Sequence, residues 1–324
     1  MTAIPGTVDR TRARTAGVVI GLASAVSFAS SGPVMKPLLE AGWSIGAALL
    51  LRMGGAAVLL SPWLIRAIVR DRSILRRHGL LVLAFGLTGV AGCQLFYFSA
   101  MQRMPVAIAL LVQYTAPVML VAWVWLRTRR RPSAVVLGGT ALAIVGLVLV
   151  VDVTGAAFDP LGIALALGAA VCMAAYFVIA DRTTDTMPPL VLAGGGLVVG
   201  AALMVVLCAT GVLPFVAPAV STDLLGTAVP WFVSVSWVAL VATALGYGLG
   251  VLAVPRIGAR LASFVGLTEV LFAMLFGWLL LGEAPTPVQG AGGALILAGV
   301  VLVRADPAAA PKGAAASVPA VPAP

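Results

Sequence analysis

The sequence predicts an all-α integral membrane protein whose ten transmembrane helices form two inverted five-helix repeats. Three observations carry that prediction. The first is composition: 61% of the 324 residues are hydrophobic and 10% are charged, with a mean hydropathy of +1.12. A soluble domain carries about 25% charged and 45–50% apolar residues, and a water-soluble fold of this length cannot hide so much apolar surface. The second is the placement of positive charge, which alternates along the chain. The third is an internal repeat.

Ten apolar runs follow one another at approximately 16–36, 44–65, 79–101, 105–126, 133–151, 160–180, 188–211, 230–254, 258–281 and 286–303. Most are near the roughly 20 residues that a helix needs to cross the hydrocarbon core. Clusters of Pro, Gly, Arg or Asp separate them. The runs are continuously apolar, without the alternation of barrel strands, so helices are required. The first run follows Arg10, Arg12 and Arg14 and resembles a secretory signal. Nine further runs behind it make a retained first helix the better reading. Residues 1–15 are expected as a short cytoplasmic tail, and 304–324 as a disordered Ala/Pro-rich tail.

With the N-terminus in the cytoplasm and ten alternating spans, 17 of the 20 Lys and Arg residues fall in cytoplasmic segments. They cluster at 10–14, 66–77, 127–131, 182, 256–260 and 304–312. Only Lys36, Arg52 and Arg103 lie elsewhere. That bias follows the positive-inside rule and places both termini in the cytoplasm of a cell-membrane protein. It also accounts for the +9 net charge through anionic lipid rather than nucleic acid.

Residues 109–150 align without gaps on 262–303 at an offset of 153. Thr115 falls on Thr268, Trp125 on Trp278, Pro132 on Pro285, Gly139 on Gly292 and Gly146 on Gly299. A weaker match joins Gly17, Ala25, Val26 and Ala29 to Gly162, Ala170, Val171 and Ala174. The repeats are therefore expected at 16–151 and 160–303. Five spans per repeat is an odd number, so the second repeat enters the membrane from the opposite side. Inverted repeats build secondary transporters, with the substrate site at mid-membrane between the halves.

GWLLLGEAPTPVQGAGGALILAGVVLV at 277–303 and YTAPVMLVAWVWLRTRRRPSAVVLGGTALAIVGLVLV at 114–150 resemble the repeat ends of the EamA-type family of the drug/metabolite transporter superfamily. The resemblance covers nearly all of 16–303. It implies a ten-helix carrier of metabolites, often an exporter of amino acids or related compounds, with a central cavity. The chain departs from the family pattern at three places: Arg130 replaces the loop Glu, Val270 a frequent Pro, and Phe28-Ala29 an aromatic-Gly pair. Only Glu283 of the loop pair carries over, and its place in Gly-Glu-Ala-Pro suits capping of the next helix.

Ionisable groups within the spans are few and costly in lipid. Glu269 lies 13 residues after Arg256 and 14 before Glu283, near the bilayer centre. It is expected to bind a cationic group on the substrate or to take up a proton during turnover; a structural carboxyl bonded to a neighbouring helix is the alternative. Arg52 either pairs with an acidic group or substrate carboxylate, or snorkels to the outer surface. Lys36 is interfacial. Around this level lie Ser31, Gln94, Tyr97, Gln113, Tyr114, Tyr176, Tyr247 and Thr268, a polar band expected to line a wet cavity. Helix–helix hydrogen bonding is the alternative for any single one.

Several function classes are excluded. No GxxxxGK[ST] segment supports a nucleotide-driven pump. Cys93, Cys172 and Cys208 lie in apolar runs and His78 in a basic loop, so neither a metal set nor a disulfide framework is suggested, and no cofactor is expected. An intramembrane enzyme lacks its paired aspartates or nucleophile with base, and the bland 212–229 loop is too short for a scaffold. The partners expected are the lipid bilayer and a small-molecule substrate, with a monomer or homodimer as the working unit. The leading function is a secondary exporter of small metabolites, with Glu269 as a coupling group. The alternative is a drug or cation exporter using Glu269 as its cation site.

Overall fold

The computed structural model describes residues 5–101, 103, 109, 112–129, 131–151, 159–183, 186–224, 226–282 and 284–305. Arg130, Glu283 with its expected capping role, and most of the C-terminal tail lie outside the described residues. Among the described residues, six helices are long and apolar enough to cross a membrane: Arg12–Glu40, Ile45–Arg70, Ile74–Ala100, Pro160–Arg182, Pro189–Ala209 and Trp231–Gly266. Ala116–Thr128, Ala134–Val150, Thr268–Leu280 and Pro287–Val303 are shorter apolar helices. This is a multi-pass membrane protein.

The first apolar run is longer than expected. Helix α1 (Pro5–Ala29) gives way at Ser30 to α2 (Ser31–Glu40). The Ser30 hydroxyl donates to the Ser27 carbonyl at 2.8 Å and accepts from Trp237 Nε1 at 3.1 Å. Pro33 stands in the first turn of α2, where its missing N–H costs nothing. Helix α3 (Ile45–Arg70) is capped by Ser44, which accepts from the Ala47 amide at 3.2 Å. Helices α4 (Ile74–Phe85) and α5 (Cys93–Met101) are joined by a π-helical stretch, Gly86–Gly92. Next come α6 (Ala116–Thr128), α7 (Ala134–Val151), α8 (Pro160–Arg182) and α9 (Pro189–Ala209). Asp159 caps α8 by accepting from the amides of Leu161 and Gly162.

The segment after α9 is more than the plain loop expected from its composition. Strands β1 (Ser221–Leu224) and β2 (Thr227–Pro230) pair as an antiparallel hairpin. Trp43 Nε1 donates to the Pro218 carbonyl at 3.0 Å and Ser44 Oγ to that of Pro214 at 2.8 Å, so this segment and the α2–α3 turn share one end of the bundle.

Beyond the hairpin lie α10 (Trp231–Trp237), a second π-helical stretch at Val238–Leu245, α11 (Gly246–Gly266), α12 (Thr268–Leu281) and α13 (Pro287–Ala305). The sequence suggests a boundary near Pro255 followed by one span over 258–281. The structure places a break there: Gly258 has left-handed, non-helical backbone (φ 76°, ψ 156°) that divides Gly246–Gly266 into two helical arms. A Cβ at Gly21 would meet both Ala253 and Val265, one from each arm. A further interruption follows at Leu267. The equivalent break in the first half precedes Ala116. Glu269, expected in mid-helix, stands in the first turn of α12.

Helices α7 and α13 pack along each other because glycines let their backbones touch. A Cβ at Gly146 would lie 2.5 Å from the Gly292 carbonyl oxygen, and one at Gly292 would lie 2.6 Å from that of Gly146. Gly139 and Gly299 meet the same way, at 2.9 and 2.6 Å. As 139 approaches 299 and 146 approaches 292, the two helices run antiparallel. Small residues of this kind are what membrane helices use for close approach.

Candidate functional site

A cavity of about 110 Å³ opens among α1, α5, α8, α11 and α12. From α1 come Gly21, Ser24, Ala25 and Phe28; from α8, Met173, Tyr176 and Phe177. Their spacing of three and four residues puts each set on one helix face. Gly89, Cys93 and Gln94 contribute from the first π stretch and α5, and Gln113 and Tyr114 from the turn before α6. Tyr247, Gly250 and Ala253 line it from α11, and Glu269 from α12. Residues from both halves of the chain thus enclose one space.

Of the residues singled out in the sequence, Gln94, Gln113, Tyr114, Tyr176, Tyr247 and Glu269 border the cavity. Ser31, Tyr97, Thr268 and Arg52 do not. Thr268 turns back toward the end of α11 and donates to the Val265 carbonyl at 2.7 Å. Tyr97 stacks edge-on against Phe98. Arg52 does not snorkel: it is 5% exposed, and its Nε donates to Thr243 Oγ1 at 3.1 Å. Ser24, Ser263 and Phe177 line the cavity without having been expected, and Phe28 of the Phe28-Ala29 pair lines it too. The i, i+3, i+4, i+7 pattern of Gly21, Ser24, Ala25 and Phe28 is the signal that marks the first face.

Among the described residues, Glu269 is the sole acidic side chain bordering the cavity, and no Lys or Arg borders it. Around its carboxyl are the N-terminus of α12, the Tyr114 hydroxyl, and the buried Arg52 acting electrostatically. A helix N-terminus favours a carboxylate by about 0.3–1 kcal/mol. Aromatic rings also line the cavity. Phe28 meets Tyr247 edge-on at 4.9 Å, Tyr247 meets Tyr176 at 6.0 Å, and Tyr176 meets Phe177 at 5.0 Å. Such rings attract cations through their faces.

Several polar groups here are occupied by the protein. Tyr247 donates to the Gly89 carbonyl at 3.2 Å, and Ser24 to that of Gly246 at 2.8 Å. Others are not. Gln113 Nε2 reaches Cys93 Sγ at 3.5 Å while its Oε1 has no partner, and the buried Tyr176 hydroxyl has none either. An unmet buried polar atom costs about 1–3 kcal/mol, and in native proteins such atoms cluster where a ligand or a second conformation satisfies them. Gly250 is required beside Tyr176, since a Cβ there would lie 2.2 Å from the hydroxyl oxygen.

The EamA-like transporter family matches this chain twice, over residues 15–152 and 160–305. Relatives include the threonine/homoserine exporter RhtA of Escherichia coli (strain K12), 28% identical over 281 residues, 84% of this chain and 85% of RhtA. The uncharacterized transporter YwfM of Bacillus subtilis (strain 168) is 25% identical over 272 residues, 79% of this chain and 82% of its own. A chain of known crystal structure shares the fold with a TM-score of 0.67 and 22% identity, covering 89% of this chain and 96% of that one. The two family matches take in nearly all of the sequence between the tails: the chain belongs to the EamA-like transporter family and is a membrane transporter.

Proposed function

We propose that this transporter is a secondary carrier that exports small amine-bearing metabolites, amino acids or related compounds, across the cell membrane. Its substrate sits in the central cavity between two inverted five-helix repeats, about 16–151 and 160–303. The halves rock to expose that site to each face in turn, and Glu269 exchanges a proton for substrate. One observation carries the reading: a carboxylate, alone among the described residues, borders a cavity built from both halves of the chain. The kinship to RhtA, which exports threonine and homoserine, agrees in substrate class. A volume of about 110 Å³ holds on the order of eight waters, room for a solute of that many heavy atoms.

The inverted arrangement is supported by geometry independent of sequence identity. The π stretches at Gly86–Gly92 and Val238–Leu245 match to within one residue when the chain is shifted by 153 residues, and so do the breaks before α6 and α12. The antiparallel glycine seam pairs 139 with 299 and 146 with 292, positions that the same shift exchanges. A pseudo-twofold axis through the seam produces this pattern.

The direct test compares metabolites released by cells overexpressing the chain with those of an empty-vector control. The reading expects one or a few amine-bearing metabolites to rise in the medium and fall in the cells. An unchanged profile contradicts it. A second reading, export of organic cations or drugs, is favoured by the carboxylate and aromatic wall without a facing cation; resistance to cationic toxicants with no change in metabolite release would select it.

Topology is testable separately. Reporter fusions after residues 72, 130 and 304 are expected in the cytoplasm, and fusions within 152–159 and 212–229 outside. A reversal at any one of these sites removes the inverted-repeat argument.

A further inference from the structure

Two helical tracts in this bundle are wound as π-helix, at matching places in the two halves. Such winding is rare, persists as short insertions and is frequently found at functional sites. Each tract here is tied by a side chain of the other half. Tyr247, just past the second tract, donates to the Gly89 carbonyl inside the first at 3.2 Å. Arg52, on α3, donates from Nε to Thr243 Oγ1 inside the second at 3.1 Å. Both bonds are buried.

The Thr243 bond is directional. A threonine hydroxyl has one proton, and Thr243 gives it to the Val238 carbonyl, five residues back, at 2.7 Å. That leaves only lone pairs to face Arg52, so the guanidinium and the π turn fix each other. Arg52 lies one turn along α3 from Ala48, which belongs to a separate apolar cluster with Val34, Leu38, Trp43, Val238 and Ala242. Thr243 lies one turn before Tyr247 on the cavity wall. The bond therefore stands between that cluster, at the hairpin end of the bundle, and the cavity.

We propose that Arg52 is a positioning residue and not a ligand for substrate: through Thr243 it clamps the second π tract to the first half, and opening of the cavity toward the hairpin end breaks this clamp. The proposal rests on the carrier reading for the opening, while the clamp itself does not. It assigns Arg52, absent from the cavity wall, a role that its charge alone does not suggest.

The test uses the purified full-length protein and hydrogen–deuterium exchange of the peptide spanning 238–247, with α7 as internal reference. A hydrogen bond to a charged group, once lost, makes local opening about tenfold more frequent. Thr243→Val keeps shape and is expected to raise exchange of that peptide about tenfold, leaving α7 unchanged. Thr243→Ser, which keeps the hydroxyl, is expected to restore the wild-type rate. An Arg52→Lys and Thr243→Val double variant is expected to exchange no faster than the Thr243→Val single one, because Thr243→Val already removes the Arg52 bond, together with the bond to the Val238 carbonyl. Unchanged exchange in Thr243→Val overturns the clamp even where Arg52 variants fail to fold.

Transport separates the two roles of Arg52 in proteoliposomes, with threonine and its carboxylate-free analogue threoninol as probes. A clamp predicts that Thr243→Val lowers Vmax for both probes about tenfold with KM little changed. Arg52→Lys raising KM for threonine but not threoninol, with Thr243→Val silent, makes Arg52 a carboxylate ligand instead. Failure of either probe to be carried bears on the proposed substrate class, and the exchange measurement still decides the clamp.

Discussion

Glu269→Gln is expected to abolish uphill transport while leaving the protein folded and in the membrane. The substitution keeps size and hydrogen-bonding capacity but removes the titratable charge from the one acidic position bordering the cavity. With one proton exchanged per substrate, each unit of pH difference supplies about 1.4 kcal/mol, enough to hold about a tenfold concentration ratio. Wild-type protein in proteoliposomes should sustain a ratio of that order across one pH unit. The Gln variant should relax to equal concentrations, although downhill exchange of preloaded substrate survives. Its rate should no longer vary with pH through this site. A Gln variant that still concentrates substrate with unchanged pH dependence makes Glu269 a structural carboxyl, and a uniporter then becomes the better reading.

Gly146→Ala is expected to destabilise the protein by about 1–3 kcal/mol, the range for overpacking a close contact. The added Cβ would sit 2.5 Å from the Gly292 carbonyl oxygen and 2.8 Å from the Ile296 amide nitrogen. Both neighbours are backbone, so only separation of α7 from α13 relieves the clash. Gly292→Ala should cost a similar amount, by the reciprocal contact at 2.6 Å. Gly138→Ala is the control: nothing lies within 4 Å of its Cβ. There the better helix propensity of Ala should stabilise by about 0.5–1 kcal/mol. Thermal unfolding in detergent reads the difference. Equal midpoints for Gly146→Ala and Gly138→Ala would show that the seam is not tight.

Much of this architecture is legible in the sequence because the bilayer imposes a simple rule. Backbone polar groups must be satisfied within an apolar run, so runs of sufficient length announce helices, and the breaks between them announce turns. Glu269 was legible for the same reason: a carboxylate deep in an apolar run is too costly to keep without a partner. The detail that hydropathy does not record is winding. Nothing in Gly86–Gly92 or Val238–Leu245 distinguishes a π turn from an α turn, since both satisfy every backbone group. The break at Leu267 was hidden likewise, because nothing in its apolar surroundings marks it, whereas Pro255 and Gly258 marked the boundary that the non-helical backbone at Gly258 makes.

Side-chain direction was the other missing quantity. Arg52 can reach the interface or the interior with equal ease along its flexible stem, and only the position of Thr243 on a neighbouring helix decides between them. Tyr97 and Thr268 do not border the cavity, a matter of rotation about the helix axis that residue number alone does not reveal. In α1, by contrast, the Gly21, Ser24, Ala25 and Phe28 stripe was present in the sequence as a small-residue face and is identifiable from spacing.

The central claim is that one cavity, bounded by both halves, is exposed to each side of the membrane in turn. Gln94 borders that cavity and is suited to a single cysteine in a chain with Cys93, Cys172 and Cys208 replaced. A membrane-impermeant thiol reagent is then applied to sealed, oriented vesicles from one side or the other. The account predicts that the cysteine at 94 reacts from both sides, that a transported amine slows both reactions, and that Leu80, 80% exposed on the outer surface of α4, reacts from neither when replaced the same way. Reaction from one side alone in an actively transporting protein, or from neither, would contradict alternating access through this cavity.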